Sequence, residues 1–422
     1  MFIFGLIMLQ AEDAFKVNGK LKLYNIGTYK QSGDINTLDS NGLAVGGHLG
    51  VTSKKFFGWF SKVNLMTTQG LFVDNDPSQI DASVLARDVS TVSGNAFDKG
   101  DSITIVGEAY IGFSHEGTKL KVGRQIYNSP LAAAKVVRML PSTFSGASAE
   151  KKWGDFSLGL AYFDKFKQRT SDKFYNILEH ALGSKTKSLT NDTKGELLTA
   201  KLIYKKGKNK LSLHEYYIED FIYAFYGDYT RKMGTASFAL QALYQKSSGY
   251  FTQALENGLV NGTNYSEGML ASAVGAKVSF GSKENKFIIA TTYTGSTEGA
   301  YSDVIAPFDG TPLFTDTITG NNLFKSLYGK ALAADSSYVA DTLSFKTAYK
   351  HKINQKVKSM ISIGRFDQSI GGVAQTDINA VLSWKAYGWD MAAKAIYVFD
   401  NAQIAGNKLQ QYRLILTYNF YK

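Results

Sequence analysis

Tyr412-Arg-Leu-Ile-Leu-Thr-Tyr-Asn-Phe420 sets Tyr412, Leu414, Leu416, Tyr418 and Phe420 on one parity and Arg413, Ile415, Thr417 and Asn419 on the other. Successive side chains of a strand point to opposite faces, so this period of two reads as a strand with one apolar and one mixed face. A last strand whose apolar face ends on an aromatic is what barrel assembly requires; only Tyr421 and Lys422 follow it. The same alternation recurs upstream. Phe15, Val17, Gly19, Leu21 and Leu23 alternate with Lys16, Asn18, Lys20, Lys22 and Tyr24. Ile103, Ile105, Gly107, Ala109, Ile111 and Phe113 alternate with Thr104, Val106, Glu108, Tyr110, Gly112 and Ser114. Leu198, Ala200, Leu202 and Tyr204 alternate with Leu197, Thr199, Lys201 and Ile203.

Short turns join these runs in pairs: Glu116-Gly-Thr-Lys119, Lys206-Gly-Lys-Asn209, Gly281-Ser-Lys-Glu-Asn285 and His351-Lys-Ile-Asn-Gln355. Between the pairs lie longer polar segments, 74–101, 168–195, 247–267 and 295–340. Short turns alternating with long loops are the layout of an outer-membrane barrel, short on the periplasmic side and long outside. The runs number about eighteen, a size that leaves an aqueous channel. The reading is an all-β transmembrane antiparallel barrel in the bacterial outer membrane. Both termini are expected on the periplasmic side, with membrane lipid and lipopolysaccharide around the wall.

Composition agrees. Mean hydropathy is only −0.16, and beyond the N-terminus nothing approaches the roughly 20 apolar residues of a membrane helix. Barrel strands show lipid only every second side chain, so the two facts are compatible. There are 25 Tyr, 27 Phe and 40 Gly against 5 Pro and no Cys. Aromatics suit interfacial girdles, scarce proline suits unbroken ladders, and zero cysteine excludes disulfides and thiolate metal sites. The net charge of +11 in a soluble protein would suggest nucleic acid, but there is no dense Lys/Arg run and no nucleic-acid-binding motif. In a pore it predicts a preference for anions. Residues 1–11 read as the remainder of a secretory signal without its basic region, and 12–422 as one barrel domain.

The segment Gly123-Arg-Gln-Ile-Tyr-Asn-Ser-Pro-Leu-Ala-Ala-Ala-Lys-Val-Val-Arg138-Met-Leu-Pro141-Ser-Thr143-Phe144-Ser-Gly146 resembles the OprD family of outer-membrane porins. There a strand ending in Gly-Arg leads into a loop folded into the lumen, then Arg-x-Leu-Pro-x-Thr-Phe-x-Gly. Leu211-Ser-Leu-His-Glu-Tyr-Tyr-Ile-Glu219-Asp220-Phe221, Thr376-Asp377-Ile378 and Tyr412-Arg413-Leu414 resemble later family blocks in order. The resemblance implies an eighteen-stranded barrel, a trimer or a looser association, and passage of small solutes, often carboxylate-bearing, along a ladder of basic side chains. Two features depart from the pattern: lysine stands at several ladder positions, and apolar Val136-Val137 precedes Arg138.

On this basis Arg138 and Lys135, in the loop 126–141, and Glu108, on the wall, are expected at the constriction. A guanidinium grips a carboxylate through two parallel hydrogen bonds; a lysine acts as a mobile point charge. Lys346, Lys385, Lys394, Arg413, Lys201 and Arg124 are read as the basic ladder, with Asp377 and Asp220 as acidic counterparts. Lys16, Lys20 and Lys22 share the lumen parity. Tyr24, Trp384 and Tyr418 are read as interface anchors rather than stacking platforms. Each charged residue has a plainer reading, as solvated wall or as salt-bridge partner.

No cofactor is expected; loop acids such as Asp74 and Asp76 could hold Ca²⁺, although solvated charge explains them equally. Ser212 and His214 share a strand face and invite a nucleophile–base reading, but no orienting acid is placed by sequence. A plugged barrel serving as adhesin or anchor is the alternative, resting on the long outer loops.

Overall fold

Neighbouring strands pair antiparallel in chain order all the way round, and the last pairs with the first. The computed structural model describes residues 14–32, 35–36, 40–73, 84–85, 102–182, 194–260, 262–318, 337–369, 374–400 and 408–420. The wall strands are β1 (Phe15–Ser32), β2 (Ser40–Ser53), β3 (Trp59–Val73), β4 (Ile103–His115), β5 (Thr118–Gln125), β6 (Thr143–Trp153), β7 (Phe156–Lys167), β8 (Leu197–Lys206) and β9 (Asn209–Ile218). They continue as β10 (Ile222–Met233), β11 (Ala236–Ser247), β12 (Leu270–Gly281), β13 (Asn285–Thr294), β14 (Thr342–Lys352), β15 (Val357–Gln368), β16 (Ala374–Ala386), β17 (Trp389–Phe399) and β18 (Lys408–Phe420). β1 faces β18 from Gly19↔Phe420 to Gln31↔Lys408 and so closes the ring. The barrel has eighteen strands, as the alternation predicts. Proposed signal residues 1–11 lie outside the described residues.

Short turns gather at one rim, where β1 begins and β18 ends. The turns at Glu116-Gly117 and Tyr387-Gly388 have positive φ at both centres, 42° and 76°, and 51° and 80°. This is the mirror-image geometry that matches strand twist in two-residue hairpins. Aromatics cluster outward beside this rim: Trp153 stacks on Phe156 at 6.2 Å and Trp389 lies 5.4 Å from Tyr418. The long loops at the opposite rim contain two short helices, α1 (Ile177–Leu182) and α2 (Gly249–Glu256).

Outward parity is apolar and exposed, as at Leu160, Val274, Ile289 and Ile361. Two expectations of parity fail for physical reasons. At β3–β4 the register shifts, pairing Asn64 with Glu108 but Leu65 with Val106, so Gly107 bulges. The bulge turns Ile103 inward, where it is fully buried beside Met66, Met139 and Leu140. Tyr24 is no interface anchor: it points inward and is fully buried, whereas Tyr418 is exposed. Trp384 takes the outward parity of β16.

Two glycines explain the start of the Gly-Arg block. Gly123 and Gly146 are register partners on β5 and β6, at the root of the loop between them, with φ of +122° and +147°. An added Cβ would stand 2.3 Å from the Ala109 carbonyl oxygen at Gly123, and 2.1 Å from that of Tyr162 at Gly146. We predict that Gly123→Ala destabilises the barrel by about 1–3 kcal/mol, the scale of local backbone strain. The check is the temperature at which the compact folded form gives way to the unfolded one on an unheated gel. A transition unchanged from the parent would refute this account.

Candidate functional site: a loop across the lumen

The loop 126–142 leaves β5 and runs across the pore. At Leu131 the backbone N–H donates to Tyr216 Oη on β9, at 3.3 Å. Ala133 N–H donates to the Phe308 carbonyl at 2.9 Å. Farther along, the Val137 carbonyl accepts from Tyr24 Oη at 3.0 Å and the Arg138 carbonyl from Lys22 Nζ at 2.7 Å, both on β1. β1 and β9 stand nearly opposite one another in a ring of eighteen, so the loop spans the lumen. Its return is held by Lys167 Nζ on the Pro141 carbonyl at 3.3 Å. Met139 and Leu140 bury against Tyr24, Ile26 and Met66. An inward loop cannot extend the wall's ladder, so its backbone needs side-chain partners, and lumen-facing Lys22, Tyr24, Lys167 and Tyr216 supply them.

This path brings Arg138 to the seam of β17, β18 and β1. Lys394 and Arg413 are direct cross-strand partners. The charges of Arg138, Lys394 and Arg413 lie within reach of one another, and Lys22 couples to Lys394 and Lys20. Arg413 directs Nε to Gln411 Oε1 at 2.7 Å, and Nη2 to the same oxygen, while Nη1 has no hydrogen-bond partner. A neutral amide, with Tyr24 beside it, thus orients this buried guanidinium without neutralising it.

Elsewhere the predicted residues are accounted for differently. Lys201 faces the lumen but is paired with Glu150 at 2.6 Å. Glu108 is nearly fully buried and receives Lys62 at 2.7 Å and Asn64 Nδ2 at 2.9 Å. Lys346 faces inward and donates to the Asp316 backbone carbonyl. Lys135 lies within electrostatic reach of Asp316. Asp377 is buried in the wall and accepts from Thr317 Oγ1 at 2.6 Å, tying down the loop between β13 and β14.

Three assignments are corrected. Arg124 shares outward parity with Leu120 and Val122, both exposed, and its guanidinium lies 4.6 Å from the Phe174 ring, so it is no rung of a lumen ladder. Asp220 sits in the β9–β10 turn with φ +55°, where its carboxylate accepts from Tyr250 N–H at the start of α2. It is a cap, not a counterion. Lys385 lies at the short-turn end, well exposed, with its ammonium 2.7 Å from Asp390.

Several residues escaped the sequence reading. Buried Asp309 accepts from Ser142 Oγ of the crossing loop and pairs with Arg169 from the β7–β8 loop. Three loops meet there, at a residue held at φ +58°. Asp316 is half-buried with its Oδ1 shielded from solvent, and accepts from Tyr338 Oη at 3.1 Å and from Leu313 N–H at 3.2 Å. Burial pushes its carboxyl up to about 6. No strand periodicity exists in loops, so neither residue carried a signal; parity alone would have found Lys62.

Nor does net charge measure the lumen. The turn segments 205–210 and 350–358 carry four lysines each and no acid, against +11 for the chain. Much of the excess is therefore at the short-turn rim.

Ser212 Oγ and buried His214 Nδ1 each lack a hydrogen-bond partner, so they are not linked as nucleophile and base. His214 stacks on Tyr216 at 6.4 Å instead. Asp74 and Asp76 lie outside the described residues, among which no group of three potential carboxylate or imidazole ligands occurs.

A closed barrel with an apolar exterior, a charged interior and a loop drawn across its bore defines a membrane pore of the porin class. The chain belongs to the OprD family: the family model for outer membrane porins of that name matches residues 64–284, just over half of it. No curated protein matches the sequence. Among solved structures it is similar to Pseudomonas aeruginosa OpdK, determined with vanillate (TM-score 0.71, 15% identity, 96% of this chain and 98% of that one). It is also similar to P. aeruginosa OpdF in complex with glucuronate (0.69, 12%, 96% and 98%) and Acinetobacter baumannii OccAB4 (0.72, 14%, 96% and 98%). At such identities the likeness is one of fold. The protein is an outer-membrane porin.

Removing the two β1 contacts tests the loop's anchorage. The double variant Lys22→Met/Tyr24→Phe should show larger or noisier single-channel currents than the parent, because the Val137–Arg138 end of the loop loses both wall contacts. Currents identical to the parent would show that the latch does not hold the loop.

Proposed function

We propose that this porin passes small anionic solutes, carboxylate-bearing ones foremost, by diffusion past Arg138, Lys394 and Arg413. The observation that carries the reading is the Lys394–Arg413 pair. These two cations face each other across strands, and the strongest charges acting on them are each other's and that of Arg138. Like charges opposite one another are unfavourable, and an anion relieves them. A carboxylate matches a guanidinium fork in geometry as well as charge. The vanillate and glucuronate in the similar structures, both carboxylates, support the same class. Inside the bore, low-dielectric walls screen these charges less than the roughly 8 Å screening length of open solution.

Reversal potentials under a salt gradient test this. The parent should be anion-selective, and Arg138→Gln/Lys394→Gln/Arg413→Gln should lose most of that selectivity. A cation-selective parent, or an unshifted triple variant, removes the mechanism. The plugged-barrel reading draws on the apolar loop cluster around Phe144, Phe166, Phe251 and Phe308; silence of purified protein in a bilayer would favour it.

Asp316 adds a pH dependence. It is a carboxylate whose neighbours include Lys135, Lys346, Tyr338 and Tyr226. With its carboxyl raised to about 6, it loses its negative charge as pH falls from 7.5 to 5. Lys135 and Lys346 are then less neutralised, so anion selectivity should increase over that window. Asp316→Asn should already show the low-pH selectivity at pH 7.5; a variant that titrates like the parent refutes the assignment to Asp316.

A further inference from the structure

The short-turn mouth of the barrel holds a second group of cations, carried by β13, β14 and β15 rather than by the β17–β18 seam. A cavity of about 510 Å³ opens between β13, β14, β15 and β16. Lys283, Lys286, Lys350, Lys352 and Lys358 line it, with Glu284 the one acid among its lining residues. The registers set these lysines against one another: Lys286 is the direct cross-strand partner of Lys350, and Lys352 that of Lys358. Two like-charge pairs thus stand side by side on adjoining ladders. Glu284 does not separate them, since its Oε2 accepts from Ser282 Oγ at 3.1 Å. His351, the other basic residue there, is committed to Asn285 Oδ1 at 2.7 Å.

Like charges directly opposite across a sheet destabilise it. A strand end in contact with water has many alternatives to lysine, so two such pairs around one cavity point to an anion that offsets the repulsion. The donors indicate which anion. All five are lysines, compact point charges without the planar fork that suits a carboxylate. Their number exceeds what one monovalent group neutralises, and the cavity has the volume of a small-molecule site.

We propose that this mouth is a binding site for a phosphoryl-bearing polyanion, a diphosphate or longer, held by Lys286, Lys350, Lys352 and Lys358. Short turns face the periplasm in outer-membrane barrels, so the ligand meets the pore from inside the cell envelope. Lys277 and Lys346 couple electrostatically to Lys350 and continue the basic surface up the lumen wall. A polyanion seated at the mouth therefore lies across the lower end of that track and lowers anion current. None of these four lysines belongs to the seam read above as the carboxylate station, although Val381 at the cavity's edge is the cross-strand partner of Lys394.

Inorganic pyrophosphate is the probe, added to the purified full-length porin. It should raise the thermal unfolding temperature of the parent. Its apparent affinity should fall at least tenfold in Lys350→Gln/Lys358→Gln, which removes one member of each pair. Without pyrophosphate this variant should unfold no more easily than the parent, because repulsion has been relieved. In bilayers with known orientation, pyrophosphate on the short-turn side should reduce current at lower concentration than on the long-loop side. Binding by Arg138→Gln/Arg413→Gln should match the parent, which separates failure here from failure at the seam. The proposal is overturned if pyrophosphate leaves the parent's unfolding unchanged, binds the mouth variant as tightly, loses affinity in the seam variant, or blocks equally from both sides. Binding of citrate as tight as that of pyrophosphate would overturn the phosphoryl assignment.

Discussion

In the hydrocarbon of a bilayer no water is available to an unpaired amide, so every backbone N–H and C=O must find its partner within the protein. The seam between Phe15–Ser32 and Lys408–Phe420 meets that demand for the first and last strands together. Once the ring is closed, side-chain parity has only two destinations, lipid and lumen. Leu414 and Arg413 are thereby sent to opposite sides of one wall. The same demand governs the loop 126–142: it has left the ladder, and Lys22, Tyr24, Lys167 and Tyr216 give its backbone the partners that the wall cannot.

This double use of lumen side chains changes what a basic residue at lumen parity means. Lys22 spends its ammonium on a loop carbonyl, Lys346 on another, and Lys201 on Glu150. Each still contributes field, but its hydrogen bonds are committed. Lys394 and Arg413 differ because their nearest charged neighbours are cations. A cation set opposite a like charge is a more selective signature than the number of lysines facing the bore.

The strands and the turns were legible because they rest on local rules. A period of two runs through the long strands, and Gly stands at the second centre of the tight turns with positive φ, as at Gly117 and Gly388. Of the site, Arg413 and Lys394 followed from parity, and Arg138 from the Gly-Arg and Leu-Pro blocks that flank the loop. Arg124 was misread because parity at the end of β5 must be counted from Leu120 and Val122, not inferred from the motif. Ile103 was misread because a bulge at Gly107 reverses parity within one strand, and a single unpaired residue leaves no trace in hydropathy. Tyr24 looked like a girdle residue because an aromatic's identity does not say which face it occupies. Asp309 was beyond reach because its partners Ser142 and Arg169 come from two other loops, and Asp316 because Tyr338 reaches it from 22 residues along its own loop.

The distribution of charge also separates affinity from attraction. Near the crossing loop the donors are Arg138 and Arg413, whose forked geometry rewards a flat acceptor in one orientation. Toward the short-turn rim the donors are lysines, including facing pairs, which attract negative charge with little regard to shape. On the proposed anion route, a solute would pass from a field that gathers to a geometry that discriminates, or the reverse. Transport requires binding strong enough to enter and weak enough to leave. A neutral amide, Gln411, rather than a carboxylate, orients the guanidinium of Arg413. A carboxylate at that position would neutralise the site; the amide fixes its direction without cancelling its charge.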